Sequence, residues 1–412
     1  MKKILFSLAT AALLIVGSLV IPQSSEAVPA FARQTGLACN SCHFQHFPTL
    51  NQFGRAFKAG GFTMVGGQSL VEGDLLSIPS TLNASFVSKF RYVKTNGAID
   101  DAGTNRGELQ LPDEAALFLA GRVGEHIGFA LEAQMAKAGD PMFDTFKMPI
   151  GIYEINGTHI ELIPFTTKAM GAAFPTEYLN TGAVRGLRVV ENRGATSAQQ
   201  KIGTATEAQG LALAVYHPQG MFGYTLWQPE GSTASDAGPF LHYLRAVVTP
   251  QVAGWDLGFG AQWWGGSTKV PGSQTGVYKE ADAWALDAQA QGEIAGLPLG
   301  VYVTYATAGQ SDATAGSAQN IFKTTTNDDA MAVAILAELG VLPGRATVTL
   351  AYLDYDSGAA TNSEDNATSI GATYLLAQNV ELSIEHTWHD KDQGTAGADG
   401  DQETIFRLFS GF

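Results

Sequence analysis

The sequence predicts an all-β protein, an antiparallel transmembrane β-barrel of about 16 strands that follows a short, partly helical N-terminal segment. Three observations predict this class. Apolar residues occupy every second position over many segments, short turns alternate with long polar loops, and only 15 % of the residues are charged while 47 are glycine. Beyond the first residues, no apolar run is long enough for a membrane helix. Composition alone leaves a soluble β-sandwich or barrel as the alternative.

The first residues are typical of a secretory signal peptide. Lys2 and Lys3 precede the uncharged apolar run Ile4–Ile21, and a site of small residues ends at Ala27. This order of basic, apolar and small-residue regions predicts that residues 1–27 direct export and are then removed. A retained N-terminal anchor helix is the alternative, because the apolar run is long enough to span a bilayer.

The mature chain is predicted to be strongly acidic. Residues 1–27 contain two of the 24 basic and one of the 39 acidic residues, so 22 basic and 38 acidic residues remain, a net charge of −16. This charge disfavours nucleic acid as a partner, since proteins that bind nucleic acid present basic surfaces. It is compatible with the attraction of cations.

Both cysteines lie in one short motif. Residues 39–43 read C-x-x-C-H, the attachment signature of c-type haem. A Cys39–Cys42 disulfide or half of a zinc site are the alternatives, but zinc needs two further ligands and the chain has no second cysteine pair. We therefore predict one covalently bound haem c, with Cys39, Cys42 and His43 as cofactor-binding residues. His43 is the predicted proximal ligand of the haem iron.

The residues after the motif predict a short amphipathic helix. Leu50, Phe53 and Phe57 recur at helical spacing, with Pro48 in the expected first turn and Gly60 at the expected C-cap. The aromatic side chains of such a helix would lie on the face that meets the haem.

The predicted haem segment, residues 28–67, offers two cationic side chains and one sulfur ligand. Arg55 and Lys58 either meet the haem propionates or form a solvated basic face. Met64 is the only methionine of the segment and the candidate distal iron ligand, with a barrel residue, water or an open position as alternatives. A segment of about 40 residues rarely buries a core unaided. We therefore expect its apolar side chains to be buried against the barrel, residues 68–412.

Alternation with a period of two marks the barrel strands. Between Trp255 and Trp263, apolar residues at odd positions alternate with polar residues and glycine at even positions. The same pattern recurs in residues 127–136, 284–291 and 380–388. Such strands fit a wall whose apolar side chains face lipid and whose polar side chains face the lumen.

The connections between strands carry a second signal. Seven tight turns are predicted at residues 124–126, 156–157, 217–220, 252–254, 295–298, 342–344 and 377–379. Long polar loops are predicted at residues 265–282, 309–329, 356–366 and 390–402. Short turns at one end and long loops at the other, with both termini at the turn end, predict about 16 strands.

The C-terminus and four aromatic residues favour the outer membrane as the location. The chain ends at Phe412, and a terminal aromatic strand resembles the assembly signal of outer-membrane barrels. Tyr224, Trp227, Trp263 and Trp388 lie near predicted strand ends and suit the aromatic girdles at the membrane interfaces.

The longest connection, residues 166–208, is predicted between the fifth and sixth strands. It carries four cationic residues in an otherwise acidic chain: Arg185, Arg188, Arg193 and Lys201. The loop either folds into the lumen, near the haem propionates or as a constriction, or lies exposed at the surface.

Three stretches near the N-terminus carry a family resemblance: Pro29–Gly36, Cys39–Pro48 and Phe53–Lys58. They resemble the start of the fused outer-membrane monohaem cytochrome–porins, which include the iron-oxidising outer-membrane cytochromes. Phe62-Thr63 matches the aromatic-Thr end of that segment in the family. The remaining chain is similar to the family only in kind, as a barrel of comparable size.

The resemblance implies a haem domain tucked into or under a 16-strand barrel. It implies Cys39, Cys42 and His43 as the haem attachment and ligand residues, and electrons taken from Fe(II) at the cell surface. The distal ligand is not settled by the resemblance.

Together these features predict an outer-membrane electron carrier. It would take electrons from extracellular Fe(II) and pass them to a periplasmic cytochrome or other electron carrier, which would make it an oxidoreductase. One alternative is a conduit for another electron donor or acceptor. A second is a diffusion porin whose haem-bearing segment is a plug. A soluble cytochrome fused to a β-sandwich is disfavoured by the alternation of short turns and long loops.

Overall fold

The structure is a computed structural model. It describes residues 29–74, 76–96, 107–135, 143–182, 197–229, 239–269, 278–311, 319–322, 327–361, 363–391 and 402–412. The predicted signal peptide lies outside the described residues, so its removal stays a prediction.

Four α-helices are described: α1 (Pro29–Thr35), α2 (Cys39–Cys42), α3 (Gln52–Ala59) and α4 (Ala198–Lys201). Short 3-10 helices cover Phe174–Thr176 and Asn180–Gly182. Among the described residues, no helix is both long and apolar enough to cross a membrane.

All further regular structure in the described residues is β-strand. In chain order the strands are β1 (Leu70–Gly73), β2 (Leu76–Pro79), β3 (Ala84–Thr95), β4 (Glu108–Gly124), β5 (Ile127–Gln134), β6 (Phe143–Lys147), β7 (Ile150–Ile155), β8 (Thr158–Thr167), β9 (Ala208–His217), β10 (Gly220–Gln228), β11 (Leu241–Val248), β12 (Gln251–Val252), β13 (Trp255–Gly265), β14 (Ser267–Lys269), β15 (Tyr278–Glu280), β16 (Ala283–Ile294), β17 (Leu297–Ala308), β18 (Gln319–Asn320), β19 (Ala330–Leu342), β20 (Ala346–Asp356), β21 (Asp365–Ala377), β22 (Val380–Lys391) and β23 (Gln402–Gly411).

The strands from β3 onward close into one antiparallel barrel. The last strand, β23, pairs with the first wall strand, β3, from Glu403 opposite Thr95 to Gly411 opposite Val87. β6 and β7 both pair with β5 and β8, and β11 and β12 both pair with β13, so each couple forms one interrupted wall strand. The wall therefore has 16 strands, and the predicted all-β, 16-stranded antiparallel barrel is confirmed.

Five short strands lie outside the wall. β14, β15 and β18 form a small sheet in the long connections after β13 and β17, and β1 pairs with β2 as a two-stranded ribbon before the wall begins at Ala84.

All seven predicted tight turns join neighbouring wall strands at one end of the barrel. In the turn between β7 and β8, Asn156 and Gly157 have φ values of 50° and 75°. Ala295 and Gly296, between β16 and β17, have φ values of 52° and 79°. Two consecutive positive φ values are the pattern of type I′ turns, whose twist matches that of the strands they connect.

Side chains alternate across the wall as predicted. Trp263 is 44 % exposed on the outer surface, whereas its neighbour Trp264 is 1 % exposed and points into the lumen. The prediction that Trp227 belongs to an interfacial girdle is wrong, because this side chain is fully buried. Met221 and Thr225, at the same strand parity of β10, are buried as well, while Phe222 is exposed.

The N-terminal segment lies inside the turn end of the barrel. The Cys39 N–H donates to Gln378 in the turn between β21 and β22, and the Gln251 amide, beside the β12–β13 turn, donates to Gln52 of α3. α3 begins later than predicted. Pro48 precedes the helix, and the Asn51 side chain caps it by accepting from the Gly54 N–H at 2.9 Å.

The long connection between β8 and β9 lies in the lumen where it is described. The Asn180 N–H donates to Gln289 at 2.9 Å, Thr181 donates to Asp287 at 2.6 Å, and the Ala198 N–H donates to Thr304 at 3.1 Å. Lys201 pairs with Asp365 at 2.5 Å. Arg185, Arg188 and Arg193 lie outside the described residues.

The outward apolar surface predicts a depth-dependent response to charge. Leu350, near the middle of β20, is exposed on the outer face, and so is Val252 at the turn end. We expect Leu350→Arg to lower the free energy of unfolding by about 2–4 kcal/mol, and Val252→Arg by about 0–1 kcal/mol, because the bilayer midplane tolerates charge least. Urea unfolding in lipid vesicles, followed by tryptophan fluorescence, measures both. Equal losses would contradict the assigned membrane depth.

Candidate functional site

The C-x-x-C-H motif forms one turn of helix and the residue that follows it. α2 places Cys39 and Cys42 on the same side, three residues apart, and both side chains are present as half-buried thiols. Burial raises the pKa of the Cys42 thiol, and the neighbouring Cys39 raises it further. Two thiols on one helical turn are the donor set that attachment of a porphyrin requires.

His43 directly follows α2, and its N–H donates to the Cys39 carbonyl at 2.9 Å. Its ring packs against Phe47 at 5.4 Å between ring centroids. The Nδ1 atom is buried and has no hydrogen-bond partner among the described residues. Burial lowers the pKa of His43 to about 4, so the imidazole is neutral at pH 7 and keeps a lone pair. A neutral imidazole beside two thiols fits a haem iron ligand.

The surroundings of the motif are apolar and partly uncovered. The ring of Phe47, which packs against His43, is 45 % exposed. A large apolar side chain that faces open space beside the motif also suits a porphyrin, which would cover it. The residues present therefore fit a covalently attached haem.

The structure does not bring Met64 to the motif. Met64 lines a cavity of about 760 Å³ with Phe53 and Phe57 of α3, and with Arg122 and His126 at the β4–β5 turn. The lining of this cavity contains neither cysteine of the motif nor its histidine. Met64 as the distal ligand stays a prediction. Within the described ranges, no three His, Cys, Asp or Glu side chains are grouped to hold a metal ion.

Arg55 is fully buried and binds the barrel wall. Its guanidinium pairs with Asp256 of β13, donates to the Gln291 side chain at 3.0 Å and donates to the Leu50 carbonyl at 3.2 Å. Arg55 is thus not part of a solvated basic face. Its partners are wall residues and the backbone of its own segment.

Lys58 also has a carboxylate partner. Its ammonium pairs at 2.6 Å with Glu177, which lies in the lumen loop between β8 and β9. The Lys147 ammonium of β6 approaches the same carboxylate at 3.4 Å. Burial alone would raise the pKa of Glu177, but the two ammonium groups outweigh burial and lower it. This cluster joins the haem segment, the lumen loop and the wall.

A third ion pair anchors the motif side of the segment. His46 Nε2 lies 2.6 Å from the Glu338 carboxylate of β19. Tyr302 donates to the same carboxylate at 3.0 Å and accepts from the Gln291 amide at 3.0 Å. Because Gln291 also accepts from Arg55, one hydrogen-bond network connects the two anchors.

The His46 imidazole is charged at neutral pH. Burial alone would lower its pKa, but the carboxylates of Glu338 and Glu381 raise it to about 9. Asp256 and Glu338 are anchoring residues that sequence reasoning missed. Their only sequence signal is that acidic residues occupy inward positions of wall strands.

No protein-family model and no curated protein match the chain. Solved structures match most of it. The outer membrane channel DcaP of Acinetobacter baumannii aligns with a TM-score of 0.51 and 11 % identity, covering 81 % of this chain and 97 % of that chain. OmpT, an outer membrane protein of Vibrio cholerae, aligns with a TM-score of 0.49 and 10 % identity, covering 84 % of this chain and 100 % of that chain. The chain has the fold of a porin-like outer-membrane barrel.

The His46–Glu338 pair predicts that docking of the haem segment depends on pH. The pKa of His46 in the folded protein, about 9, exceeds the ordinary histidine pKa of 6.5. The pair therefore contributes its full stabilisation, about 3 kcal/mol, below the lower value and loses it as pH rises through the upper value. Protection of the amides around His46, measured as the exchange rate relative to the base-catalysed rate of an unstructured peptide at the same pH, should fall over this range. In Glu338→Gln this fall should disappear, and its persistence would show that another group is responsible.

The Arg55–Asp256 pair predicts a large loss in the stability of the docked haem segment when one partner is removed. Arg55→Met leaves Asp256 without its cation, so we expect opening of the haem segment to become easier by about 3–5 kcal/mol. Arg55→Met with Asp256→Leu should recover part of this loss, because the stranded carboxylate is gone. Arg33→Met is the control: it removes an exposed hydrogen bond from the same segment to the Ala84 carbonyl without leaving a buried charge unpaired, and should cost at most about 1 kcal/mol. Native-state hydrogen exchange measures all three, and equal effects at Arg33 and Arg55 would refute the anchor.

Proposed function

We propose that this chain is an outer-membrane c-type cytochrome–porin fusion that carries electrons across the outer membrane. It oxidises extracellular Fe(II) and passes electrons through one covalently bound haem to a periplasmic cytochrome or other carrier. The observation that carries the proposal is the C-x-x-C-H motif, with both cysteines present as thiols, inside the turn end of a closed barrel.

Each residue of the motif has a separate task. Cys39 and Cys42 would hold the porphyrin through thioether bonds, and His43 would ligate its iron. A bound haem c supplies one-electron oxidation and reduction, while the protein supplies position and shielding. Arg55 and His46 hold the segment against the wall through Asp256 and Glu338.

The position of the motif supports transfer on the periplasmic side. Outer-membrane barrels have their short turns in the periplasm and their long loops outside the cell. Cys39 is hydrogen-bonded to a turn residue, Gln378, so the motif is within reach of the turn surface. A periplasmic carrier would approach at this end.

The loop end supports a cationic donor. Acidic residues at the loop ends of the last strands include Asp354, Asp356, Glu364 and Asp390. Their charges raise the local concentration of cations such as Fe²⁺. Asp392, Asp399 and Asp401 belong to the same loops but lie outside the described residues.

Two other functions use the same parts. The fold of a porin-like channel favours a diffusion porin whose haem-bearing segment is a plug. The haem site alone would also serve another donor, or an acceptor outside the cell, because a haem passes electrons in either direction.

Purified full-length protein in lipid vesicles distinguishes these functions. We expect a covalent haem stain, and reduction of the haem absorption bands when Fe(II) is added to the loop side. The double variant Cys39→Ser with Cys42→Ser should abolish the stain. Hydrogen exchange of the haem segment in this variant reports whether the segment still docks in an intact barrel. Ion conductance without reduction by Fe(II) would support the porin. Reduction by other donors but not by Fe(II) would support an electron conduit for another donor and would overturn Fe(II) as the donor.

A further inference from the structure

A cavity separates the haem segment from one side of the wall at the turn end of the barrel. Its volume is about 760 Å³, which is a usual size for a small-molecule pocket. Side chains of α3 line one side, and the β4–β5 turn, β7 and β8 line the other. Glu125 and Glu154, both exposed, lie beside two of the short turns. A ligand would therefore enter the cavity from the periplasmic side.

The cavity lies on a different face of α3 from the haem motif. Phe53, Ala56 and Phe57 line the cavity, at the spacing of three and four residues that defines one face of a helix. Gly54 lies on another face, packed so closely against Cys42 that a Cβ atom would lie 2.2 Å from the Cys42 carbonyl oxygen. The helix thus stands between the motif and the cavity, and the cavity is a site of its own.

Much of the cavity lining is apolar and open to solvent. Phe53 and Met64 of the haem segment and Ile152 and Tyr153 of β7 are large and exposed. The lumen of an outer-membrane barrel is normally lined by polar side chains. Exposed apolar side chains that gather around one cavity are typical of a binding site, because a ligand with an apolar body would cover them.

A buried carboxylate also lines the cavity. Glu161 of β8 is 6 % exposed, and no described residue donates a hydrogen bond to it or forms an ion pair with it. Lys147 of β6 donates instead to the Phe174 carbonyl at 3.0 Å and lies 3.4 Å from the Glu177 carboxylate. Burial of a carboxylate charge is unfavourable unless a donor or a cation compensates it. A cationic ligand would supply this missing partner.

The charged groups of the lining favour a cation over an anion. Three glutamates line the cavity, Glu125, Glu154 and Glu161, against one arginine. That residue, Arg122, donates to the Ser77 hydroxyl at 2.6 Å and to the Ser77 carbonyl at 3.3 Å, so neutral acceptors already occupy it. In the described part of the chain, no three metal-ligating side chains are grouped. An organic cation therefore fits the cavity better than a metal ion.

We propose that this cavity binds an amphipathic organic cation, with its ammonium group at Glu161 and its apolar body against Phe53, Met64 and Ile152. The aromatic rings of the lining also attract a cation through their faces. This role is separate from the proposed electron transfer. Because the haem segment and the wall each form part of the lining, the bound ligand stabilises the docked segment.

Three probes test the two parts of the ligand. These are 4-phenylbutylammonium, its neutral counterpart 4-phenylbutanol, and methylammonium, which lacks the apolar body. Calorimetric titration uses the full-length haem-loaded protein in lipid nanodiscs, with empty nanodiscs as the blank. We expect 4-phenylbutylammonium to bind at least about tenfold more tightly than either other probe. Equal binding of 4-phenylbutanol, or no binding of any probe in a cavity that holds only water, would overturn the proposal.

Glu161 and Glu154 provide a matched pair of variants. Each change to glutamine removes one carboxylate charge from the lining, but Glu161 is buried whereas Glu154 is exposed and lies 3.7 Å from His159. We expect Glu161→Gln to weaken binding of 4-phenylbutylammonium about 10–100-fold. Glu154→Gln should weaken it at most about twofold, because water screens the exposed charge. Equal weakening would indicate a general attraction to the acidic turn end and would refute a site at Glu161.

Hydrogen exchange tests whether the ligand joins the segment to the wall. Saturating 4-phenylbutylammonium should slow exchange in peptides that cover residues 53–64 of the wild-type protein, and not in Glu161→Gln. Unchanged exchange in the ligand-bound protein would contradict this contact. Binding of a lysine-rich soluble cytochrome that requires Glu161, without binding of the amine, would replace the small ligand by a protein partner and overturn the proposal. Protease resistance of each barrel reports its folding.

Discussion

A charge that enters the barrel lumen must find an opposite charge there, and this constraint determines how the haem segment and the barrel fit together. The segment is too short to bury a core of its own. Its cations Arg55 and His46 are buried, and a buried ion without a partner costs several kcal/mol. Asp256 and Glu338 supply the partners from two separate wall strands. The wall therefore specifies where the segment docks, and the motif inherits its position from these two contacts.

The same constraint divides the lumen into two halves, and β16 passes through both. Its inward residues, taken from the turn end to the loop end, are Gln291, Gln289, Asp287, Ala285 and Ala283. The amides bind the haem segment and the lumen loop, and Asp287 forms a buried pair with Arg245 of β11, two strands along the wall. The alanines leave room for large rings from neighbouring strands. Polar partners thus lie where the charged segment docks, and small residues lie where aromatic residues pack.

The period-two pattern could predict the wall because a strand side chain has only two directions, lumen or lipid. It could not predict the partners of the segment. Asp256 and Glu338 are two among many inward polar residues, and the register of strands far apart in sequence decides which of them meet Arg55 and His46. The prediction for Trp227 was wrong for a related reason. Nearness to a strand end does not determine whether a side chain faces the lumen or the lipid. Pro48 was predicted in the first turn of α3, but the helix begins only after Asn51, whose side chain caps it.

A barrel whose lumen holds its own chain is suited to a different cargo from that of an open channel. A solute needs a continuous aqueous path, and in the described residues the turn half is occupied by the segment while the loop half holds a packed apolar cluster. An electron needs only short gaps between packed groups. The packed chain in the lumen obstructs a solute but shortens the gaps that an electron must cross. It therefore favours an electron over a solute as the cargo.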